Sequence, residues 1–195
     1  MPEAIVEAAS RCLIERGGAA FSTRAVAKAA GVNQSLIHYH FGTKENLMLA
    51  VLADMDARLL ARQDQMYGSD LSFAEKWARA TAFYRDDLAS GYIRLRMELW
   101  VLGLANPAIR RAMLESNARW RRVLVRATVE ALEHFGIRGV APEEAATAVI
   151  DFWLGMELEH LLGVPEDEGR HWRALETIRG ILAGLEARGD GREGA

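Results

Sequence analysis

This chain has a single cysteine and shows neither a signal sequence nor a long apolar run. The only cysteine, Cys12, excludes an internal disulfide. It falls on the apolar side of a predicted helix, where a small buried hydrophobic residue is far more common than a redox centre or a metal ligand. The sequence shows no secretion signal, and no apolar run approaches the length of a membrane span. We therefore expect a cytoplasmic protein with no membrane association.

The chain also lacks a net positive charge. The formal net charge is −3, which gives no overall attraction to nucleic acid. Residues 1–50 carry five arginines and lysines against four acidic residues. If this chain binds DNA, it must therefore rely on a local arrangement of cations, and two copies would have to act together to neutralise enough phosphates.

Sequence motifs of catalysis are equally scarce. The chain has no nucleophile elbow, no glycine-rich phosphate loop and no cysteine–histidine cluster. Glu157-x-x-His160 has the spacing of a carboxylate di-metal site, but such sites need a second copy of the motif and further glutamates on facing helices. Because no second copy is present, we expect no metal site. Because the catalytic motifs are missing as well, we expect no enzyme activity and no cofactor.

Apolar residues, in contrast, are abundant and regularly spaced. Half of the residues are hydrophobic and 26% are charged, which is typical of a folded core and excludes a disordered chain. The apolar positions recur at helical spacing, and no stretch alternates as a strand would. The sequence predicts an all-α protein of about nine helices. We expect a helix-turn-helix domain over residues 1–46 and a larger helical domain for ligand binding and dimerisation over residues 47–195.

Residues 21–44, FSTRAVAKAAGVNQSLIHYHFGTK, predict two short helices joined by a tight turn. Ser22 is a good N-cap for the first helix, and Gly31 stands where a left-handed residue ends it. Asn33 then caps the second helix. Two short helices joined in this way are typical of the helix-turn-helix, whose second helix enters the DNA major groove.

The helical period predicts which face of the second helix is free. Ile37 and Phe41 are one turn apart and point toward the core, whereas Ser35 and Tyr39 lie nearly opposite. His38 and Leu36 flank that free face. The alternative is that the free residues are ordinary surface residues with no partner.

Several residues near this face have side chains suited to DNA. Gln34 lies in the first turn and can bond both N6 and N7 of adenine, and Leu36 could contact a thymine methyl group. Arg24 and Lys44 stand at helix N-termini, where a cation costs roughly 0.3–1 kcal/mol in isolation. A phosphate docked at the same helix ends would reverse the sign of that contribution.

Residues 4–51 resemble the DNA-binding domain of the TetR family of bacterial transcription regulators, over about a quarter of the chain. The family resemblance implies base contacts from Arg24, Gln34, Ser35, His38 and Tyr39, and phosphate contacts from Thr23, His40 and Lys44. A small or polar residue is usual in the family where Leu36 stands, and Tyr is common where His38 stands. The operator sequence therefore does not carry over. The resemblance further implies a repressor that binds a palindromic double-stranded DNA operator and is released by a small molecule.

Two predicted helices near the C-terminus, residues 142–162 and 166–187, have more apolar surface than packing within one domain requires. Ala145, Ala148 and Gly155 would allow close helix approach. We predict that these helices form a four-helix bundle across a homodimer, which is also the usual dimer interface in the TetR family. The alternative is that the same faces complete the core of a monomer.

Aromatic and methionine residues on four predicted helices could converge on a pocket for a small, largely apolar effector. The predicted lining residues are Trp77, Tyr84, Met97, Trp100, Trp120, Phe152, Trp153 and Met156, with Arg94, Asn117 and Asp151 as possible polar anchors. Such residues fill cores more often than they line pockets. An alternative function is a helical small-molecule-binding or scaffold protein whose helix-turn-helix no longer binds DNA.

Overall fold

The computed structural model describes residues 2–16 and 21–193, and within these ranges the chain forms ten helical segments and no strand. The helices are α1 Pro2–Arg16, α2 Thr23–Ala30, α3 Gln34–Phe41, α4 Lys44–Tyr67, α5 Phe73–Ala89, α6 Tyr92–Ala105, α7 Pro107–His134, α8 Pro142–Leu162, α9 Glu166–Gly169 and α10 His171–Glu193. The all-α prediction is confirmed. No helix among the described residues is long and apolar enough to cross a membrane.

The predicted helix over residues 166–187 is wrong in one respect. Arg170 adopts a left-handed conformation with φ 51°, and this residue separates the single turn α9 from α10. Non-glycine residues rarely adopt that conformation, so the helical period of the sequence gave no sign of the break. Beyond Arg170, α10 continues to Glu193.

The chain divides into two compact units whose boundaries fall within α4, α5 and α7. The first unit comprises residues 1–59 and 85–117, and the second comprises residues 60–84 and 118–195. This division reflects only how compactly the residues pack, and it does not assign a function to either unit. The functional division into residues 1–46 and 47–195 stays a prediction.

The core of the first unit follows the helical period of its sequence. Ile5, Ala8 and Cys12 on α1 are buried, and the single cysteine is a free, buried apolar residue as predicted. The other buried apolar residues up to α4 include Phe21, Val26, Ile37, Leu47, Met48 and Val51. This core fixes the orientation of α2 and α3, which carry the predicted DNA contacts.

A buried carboxylate organises a second part of the first unit. Asp56 on α4 is only 1% exposed and accepts hydrogen bonds from the Tyr92 hydroxyl at 2.8 Å and the Ser116 hydroxyl at 2.5 Å. These donors lie on α6 and α7. Because a buried charge is stable only when it is hydrogen-bonded, the network fixes how the three helices meet.

The second unit is held by polar bonds between residues distant in sequence. Trp77 Nε1 donates to the Leu175 carbonyl at 2.9 Å, and Lys76 Nζ lies 2.6 Å from Glu130 Oε1. The predicted capping box at the start of α5 is confirmed. Ser72 N donates to Glu75 Oε2 at 2.9 Å, and Glu75 N donates to Ser72 Oγ at 3.3 Å.

Candidate nucleic-acid interface

Local hydrogen bonds build the helix-turn-helix as the sequence predicts. Ser22 Oγ accepts from Ala25 N at 3.2 Å at the start of α2, and Asn33 Oδ1 accepts from Ser35 N at 3.0 Å at the start of α3. Gly31 has φ 66° and ψ 29°, the left-handed conformation that costs glycine least. The three predictions of cap and turn are confirmed.

The exposure of α3 follows the predicted faces. Ile37 is 1% exposed and belongs to the core, whereas Tyr39 is 82% exposed. Ser35 and His38 are exposed as well. Leu36 and Phe41 are half-buried, so Phe41 contributes less to the core than its position one turn after Ile37 predicted.

A hydrogen-bonded row joins the first turn of α2 to the recognition helix α3. Gln34 Nε2 donates to Thr23 Oγ1 at 3.0 Å. His38 Nδ1 lies 3.0 Å from the Gly42 carbonyl, which can only accept, so Nδ1 carries the proton. The other ring nitrogen, Nε2, then accepts from Gln34 Nε2 at 3.5 Å. Thr23, Gln34 and His38 are therefore oriented before any partner binds.

Sequence reasoning named all three residues of this row but missed the bonds between them. Gln34 and His38 are four residues apart on one helix, a spacing at which side chains meet. The Gln34–Thr23 bond crosses from one helix to the other, so no helical period could reveal it.

The end of α3 is a tight turn built on Gly42. Its φ of 72° and ψ of −63° form a γ-turn, which Thr43 N closes on the Phe41 carbonyl at 2.8 Å. Thr43 Oγ1 then caps α4 by accepting from Asn46 N at 3.1 Å. Lys44 Nζ lies 5.8 Å from the centre of the Phe21 ring, so a cation lies at the start of α4 as predicted.

The predicted effector-site residues fall into both units. In the second unit the Trp153 ring centre lies 5.5 Å from that of Trp77, 5.1 Å from Tyr84 and 5.9 Å from Phe152. We call Trp77, Tyr84, Phe152 and Trp153 the aromatic cluster. Met156 is buried and Trp120 is half-buried in the same unit. Met97 and Trp100 belong to the first unit, so a single pocket lined by all eight residues stays a prediction.

Two further rings join the aromatic cluster without having been predicted. His160 and Trp172 lie 5.6 Å and 5.7 Å from the Tyr84 ring, and the Tyr84 hydroxyl is 2.6 Å from His160 Nδ1. His160 follows Trp153 by two helical turns on α8, which is the one sequence signal that could have indicated it. Trp172 follows the unpredicted break at Arg170, and the helical period gave no signal for it.

A shallow pocket of about 140 Å³ occurs in the first unit. Its lining includes Trp100 and Asn117, which the sequence predicted, together with Gly103, Leu104, Arg110, Met113 and Leu114. Ligand sites for drug-sized molecules are commonly about 300–1,000 Å³, so this pocket would hold only a small group.

The two helices predicted to dimerise expose apolar side chains and small residues. On α8, Leu158 and Leu162 are 49% and 73% exposed, and on α10 Ile181 and Leu185 are 57% and 40% exposed. A β-carbon added at Gly155, Gly180 or Gly184 would meet no atom within 4 Å. An open apolar face with room for close helix approach is therefore present on both helices.

The comparisons with known proteins agree with this geometry. Residues 5–51 match the family model described as bacterial regulatory proteins, tetR family. An HTH-type transcriptional repressor of Mycobacterium tuberculosis is 45% identical over 56 residues, which cover 29% of this chain and 30% of that protein. The matched segment thus spans about a third of the curated relative.

Solved structures extend the likeness in fold to almost the whole chain. A transcriptional regulator from Saccharomonospora viridis, in complex with choline, has a TM-score of 0.74 at 20% identity and covers 94% of each chain. A regulator from a Rhodococcus species, described as TetR-family, has a TM-score of 0.71 at 22% identity and covers 93% of this chain and 97% of its own. Residues 5–51 thus match the TetR family of bacterial regulatory proteins, and over the rest of the chain the likeness to these solved structures is one of fold.

Proposed function

We propose that this protein is a transcriptional repressor that binds a palindromic double-stranded DNA operator as a homodimer and is released by a small, largely apolar effector. The observation that carries the proposal is the hydrogen-bonded row formed by half-buried Thr23 and exposed Gln34 and His38 on an otherwise well-packed helix-turn-helix. A row of oriented polar groups at the start of α3 is what a recognition helix needs to reach base edges.

In this proposal Gln34 makes the main base contact. A bidentate contact with adenine requires one amide hydrogen for N7 and the amide oxygen for N6. Both amide hydrogens of Gln34 face Thr23 and His38, and the longer bond, 3.5 Å to His38, is the weaker one. DNA would therefore displace His38 from Gln34 and keep the Thr23 bond, while Arg24, Ser35, Leu36 and Tyr39 complete the base face.

The phosphate contacts would come from Thr23, His40 and Lys44. Lys44 stands at the N-terminus of α4 and Thr23 at that of α2, where backbone N–H groups and the helix dipole favour an anion. Lys44→Ala should weaken binding to every DNA sequence alike and reduce the dependence of binding on salt concentration.

The role of Gln34 in recognition can be tested by replacing each of two exposed glutamines with alanine. Gel shifts against DNA flanking the protein's own gene would locate the operator, and single-base variants would then report its sequence preference. Gln34→Ala should lose about 1–3 kcal/mol of discrimination at one base pair per half-site. Gln65→Ala, a change at an exposed glutamine of α4, should change nothing. Equal binding and equal preference in both variants would contradict the role of Gln34.

The homodimer is proposed from the exposed apolar faces of α8 and α10. Ile181→Glu would place a charge in a two-fold bundle of these helices, whereas Val101→Glu introduces the same change on α6. Both side chains are more than half exposed in one chain, so neither change should unfold it. Light scattering at micromolar concentration should give a dimer for the parent and Val101→Glu, and a monomer for Ile181→Glu. A monomeric parent would exclude this dimer.

The effector is proposed to enter the aromatic cluster. The rings supply an apolar wall, and the Tyr84 hydroxyl, which can both donate and accept a hydrogen bond, supplies a polar group. A thermal-shift screen should include apolar and aromatic compounds and also choline, because the Saccharomonospora relative binds choline and aromatic rings hold quaternary ammonium groups.

The screen also separates this function from a helical binding protein without DNA activity. Any compound that raises the melting temperature is then added to the gel shift. It should weaken operator binding to the extent that it binds the DNA-released conformation more tightly than the DNA-bound one. Stabilisation by a ligand together with an absence of any DNA binding would favour the binding protein and exclude the repressor.

A further inference from the structure

Two histidines and a glutamate lie together between the last turn of α8 and the start of α10. His160, Glu166 and His171 each offer one ligand atom, and these atoms lie within 4.8 Å of one another. His160 lies near the end of α8, Glu166 begins α9 and His171 begins α10. The break at Arg170 turns the chain so that the three side chains converge.

His171 has one ring nitrogen in use and one without a partner. The residue is 7% exposed, and its Nε2 lies 2.6 Å from Glu159 Oε2. An ionised carboxylate only accepts, so Nε2 carries the proton and Nδ1 has a lone pair. Nδ1 is buried and has no hydrogen-bond partner among the described residues, which is costly for a polar atom. A carboxylate on the other nitrogen is also the usual support for a metal-bound histidine.

The remaining two groups each keep one atom for a ligand. The Tyr84 hydroxyl lies 2.6 Å from His160 Nδ1, which leaves Nε2 of that ring. Glu166 Oε1 accepts from the backbone N–H of Trp172 at 3.0 Å, which leaves Oε2. Tyr84 and the N-terminus of α10 therefore fix the two side chains through atoms that a ligand does not need.

Gly169 leaves the space that the His171 ring occupies. A β-carbon on Gly169 would lie 2.3 Å from Cε1 and 2.8 Å from Nδ1 of that ring. Any other residue at this position would push the ring away. The position of His171 thus depends on a glycine immediately before the break, independently of the hydrogen bonds around it.

We infer that His160, Glu166 and His171 bind one divalent first-row transition-metal ion, with water completing its coordination. Two imidazoles and one carboxylate suit Zn²⁺ and its neighbours in that row, whereas Mg²⁺ and Ca²⁺ prefer oxygen ligands alone. Ligand atoms at about 2.0–2.2 Å from one tetrahedral ion lie about 3.5 Å apart. The three atoms are now at most 4.8 Å apart, so binding an ion requires them to approach one another by about 1.3 Å at most.

This site differs from the one that the sequence analysis considered and set aside. It shares His160 with the Glu157-x-x-His160 spacing, but Glu157 is not among the three clustered residues. The two missing ligands come from α9 and α10, whose arrangement the helical period did not predict. The inference does not depend on DNA binding, and its test uses no DNA.

The test uses the full chain without a histidine tag, freed of metal by a chelator. Calorimetric titration with Zn²⁺ should give one ion per chain and raise the melting temperature. Co²⁺ should give the visible absorption of a tetrahedral site. It should also quench tryptophan fluorescence, because the Trp172 ring lies 5.2 Å from that of His160.

Variants then separate this site from other metal-binding residues. Glu166→Gln and His160→Gln should each raise the dissociation constant for Zn²⁺ at least tenfold. Glu168→Gln, which changes an exposed acid in the same turn, should leave it unchanged. Each variant is melted without metal first, so that a loss of fold is not mistaken for a loss of a ligand.

Two further variants change the position of His171 without removing a ligand. Glu159→Gln should raise the dissociation constant about 10–100-fold while the tetrahedral Co²⁺ spectrum is kept at saturating metal. Gly169→Ala should weaken binding and alter that spectrum, because the ring must move. The inference is overturned if the parent protein binds no Zn²⁺ stoichiometrically at micromolar concentration. Equal binding by the parent, Glu166→Gln and His160→Gln would overturn it as well.

Discussion

The helix-turn-helix segment and the second unit are stabilised over very different sequence distances. In residues 21–44 the bonds join residues close in the chain: Ser22 with Ala25, Asn33 with Ser35, and Thr23 with Gln34, eleven positions apart. In the second unit Lys76 bonds Glu130 across 54 positions, and Phe73 N bonds Glu186 Oε1 across 113. Local bonds can be predicted from sequence. The distant ones require the fold, and they carry the larger share of stability when they are buried.

The largest loss of stability is expected on replacing Asp56, a residue of the first unit whose hydrogen bonds also join residues distant in sequence. Its two bonds span 36 and 60 positions, and the residue is 1% exposed. Asp56→Ala removes the acceptor of the buried Tyr92 and Ser116 hydroxyls and leaves a cavity. We expect a loss of about 3–5 kcal/mol in the free energy of unfolding, measured in urea.

A matched control lies two residues earlier on the same helix. Asp54 bonds Arg58 four positions away at 2.6 Å, and both side chains are about half exposed. Asp54→Ala should therefore change the free energy of unfolding by less than about 0.5 kcal/mol. Similar losses of stability from the two substitutions would mean that buried hydrogen bonds between residues distant in sequence contribute no more than exposed local ones.

Particular residues show how far the sequence could predict this protein. The caps at Ser22 and Asn33, the turn at Gly31 and the capping box at Ser72 were predicted because each depends on residues at most four positions apart. The exposed face of α3 followed from its helical period. The row from Thr23 to Gln34 to His38 did not, because one of its bonds joins two helices.

The second unit was less predictable for the same physical reason. The helical period identified Trp77, Tyr84, Phe152 and Trp153 as apolar, but it could not show that His160 and Trp172 join them. That convergence depends on the left-handed Arg170 between α9 and α10. Nothing in the residue types near Arg170 favours this conformation, since glycine or asparagine would be usual there.

The second largest effect is expected at the ion pair of Lys76 and Glu130. Lys76 is 3% exposed, and its ammonium group also lies 5.2 Å from the Phe73 ring centre. Glu130→Gln leaves this ammonium group without its counter-charge. We expect a loss of about 2–3 kcal/mol, below the value for a fully buried pair because the Glu130 side chain is 49% exposed.

Replacing the buried cation itself should reduce the free energy of unfolding less than Glu130→Gln does. Lys76→Met keeps the volume of the side chain and removes the charge, so the free energy of unfolding should change little or increase. Arg126→Ala, which removes a pair whose side chains are both 61% exposed, should cost less than about 0.5 kcal/mol. A greater loss from Lys76→Met than from Glu130→Gln would show that the pair contributes net attraction.

A smaller effect is expected at the locally determined turn. Gly31→Ala keeps every hydrogen bond of the helix-turn-helix and adds a β-carbon that meets no atom within 4 Å. Its cost is therefore the left-handed conformation alone, about 1–2 kcal/mol. Gly136→Ala is the control, because Gly136 has φ 62° and equally open surroundings after α7.

The two glycine variants should lose similar stability but differ in function. Under the proposed function, Gly31→Ala disturbs the turn that orients α3 and should weaken operator binding, whereas Gly136→Ala should not. Gel shifts at a temperature where both variants are folded give the comparison. Equal operator affinity in the two variants would show that the conformation at Gly31 does not affect DNA recognition.

The smallest effect is a dependence of stability on alkaline pH, and it arises in the second unit. Burial raises the pKa of Tyr67 from 10.0 to about 12. The folded protein therefore keeps the phenol proton at pH values where the unfolded chain has lost it. Since the unfolded state binds fewer protons between about pH 10 and 12, the free energy of unfolding should fall as pH rises through that window and be unaffected below it. Tyr67→Phe has no proton to lose at this position and should show a shallower decline. Urea unfolding at pH 8.5 and pH 11 measures the difference, and parallel declines in the two proteins would show that the packing around the end of α4 does not hold this phenol in its neutral form.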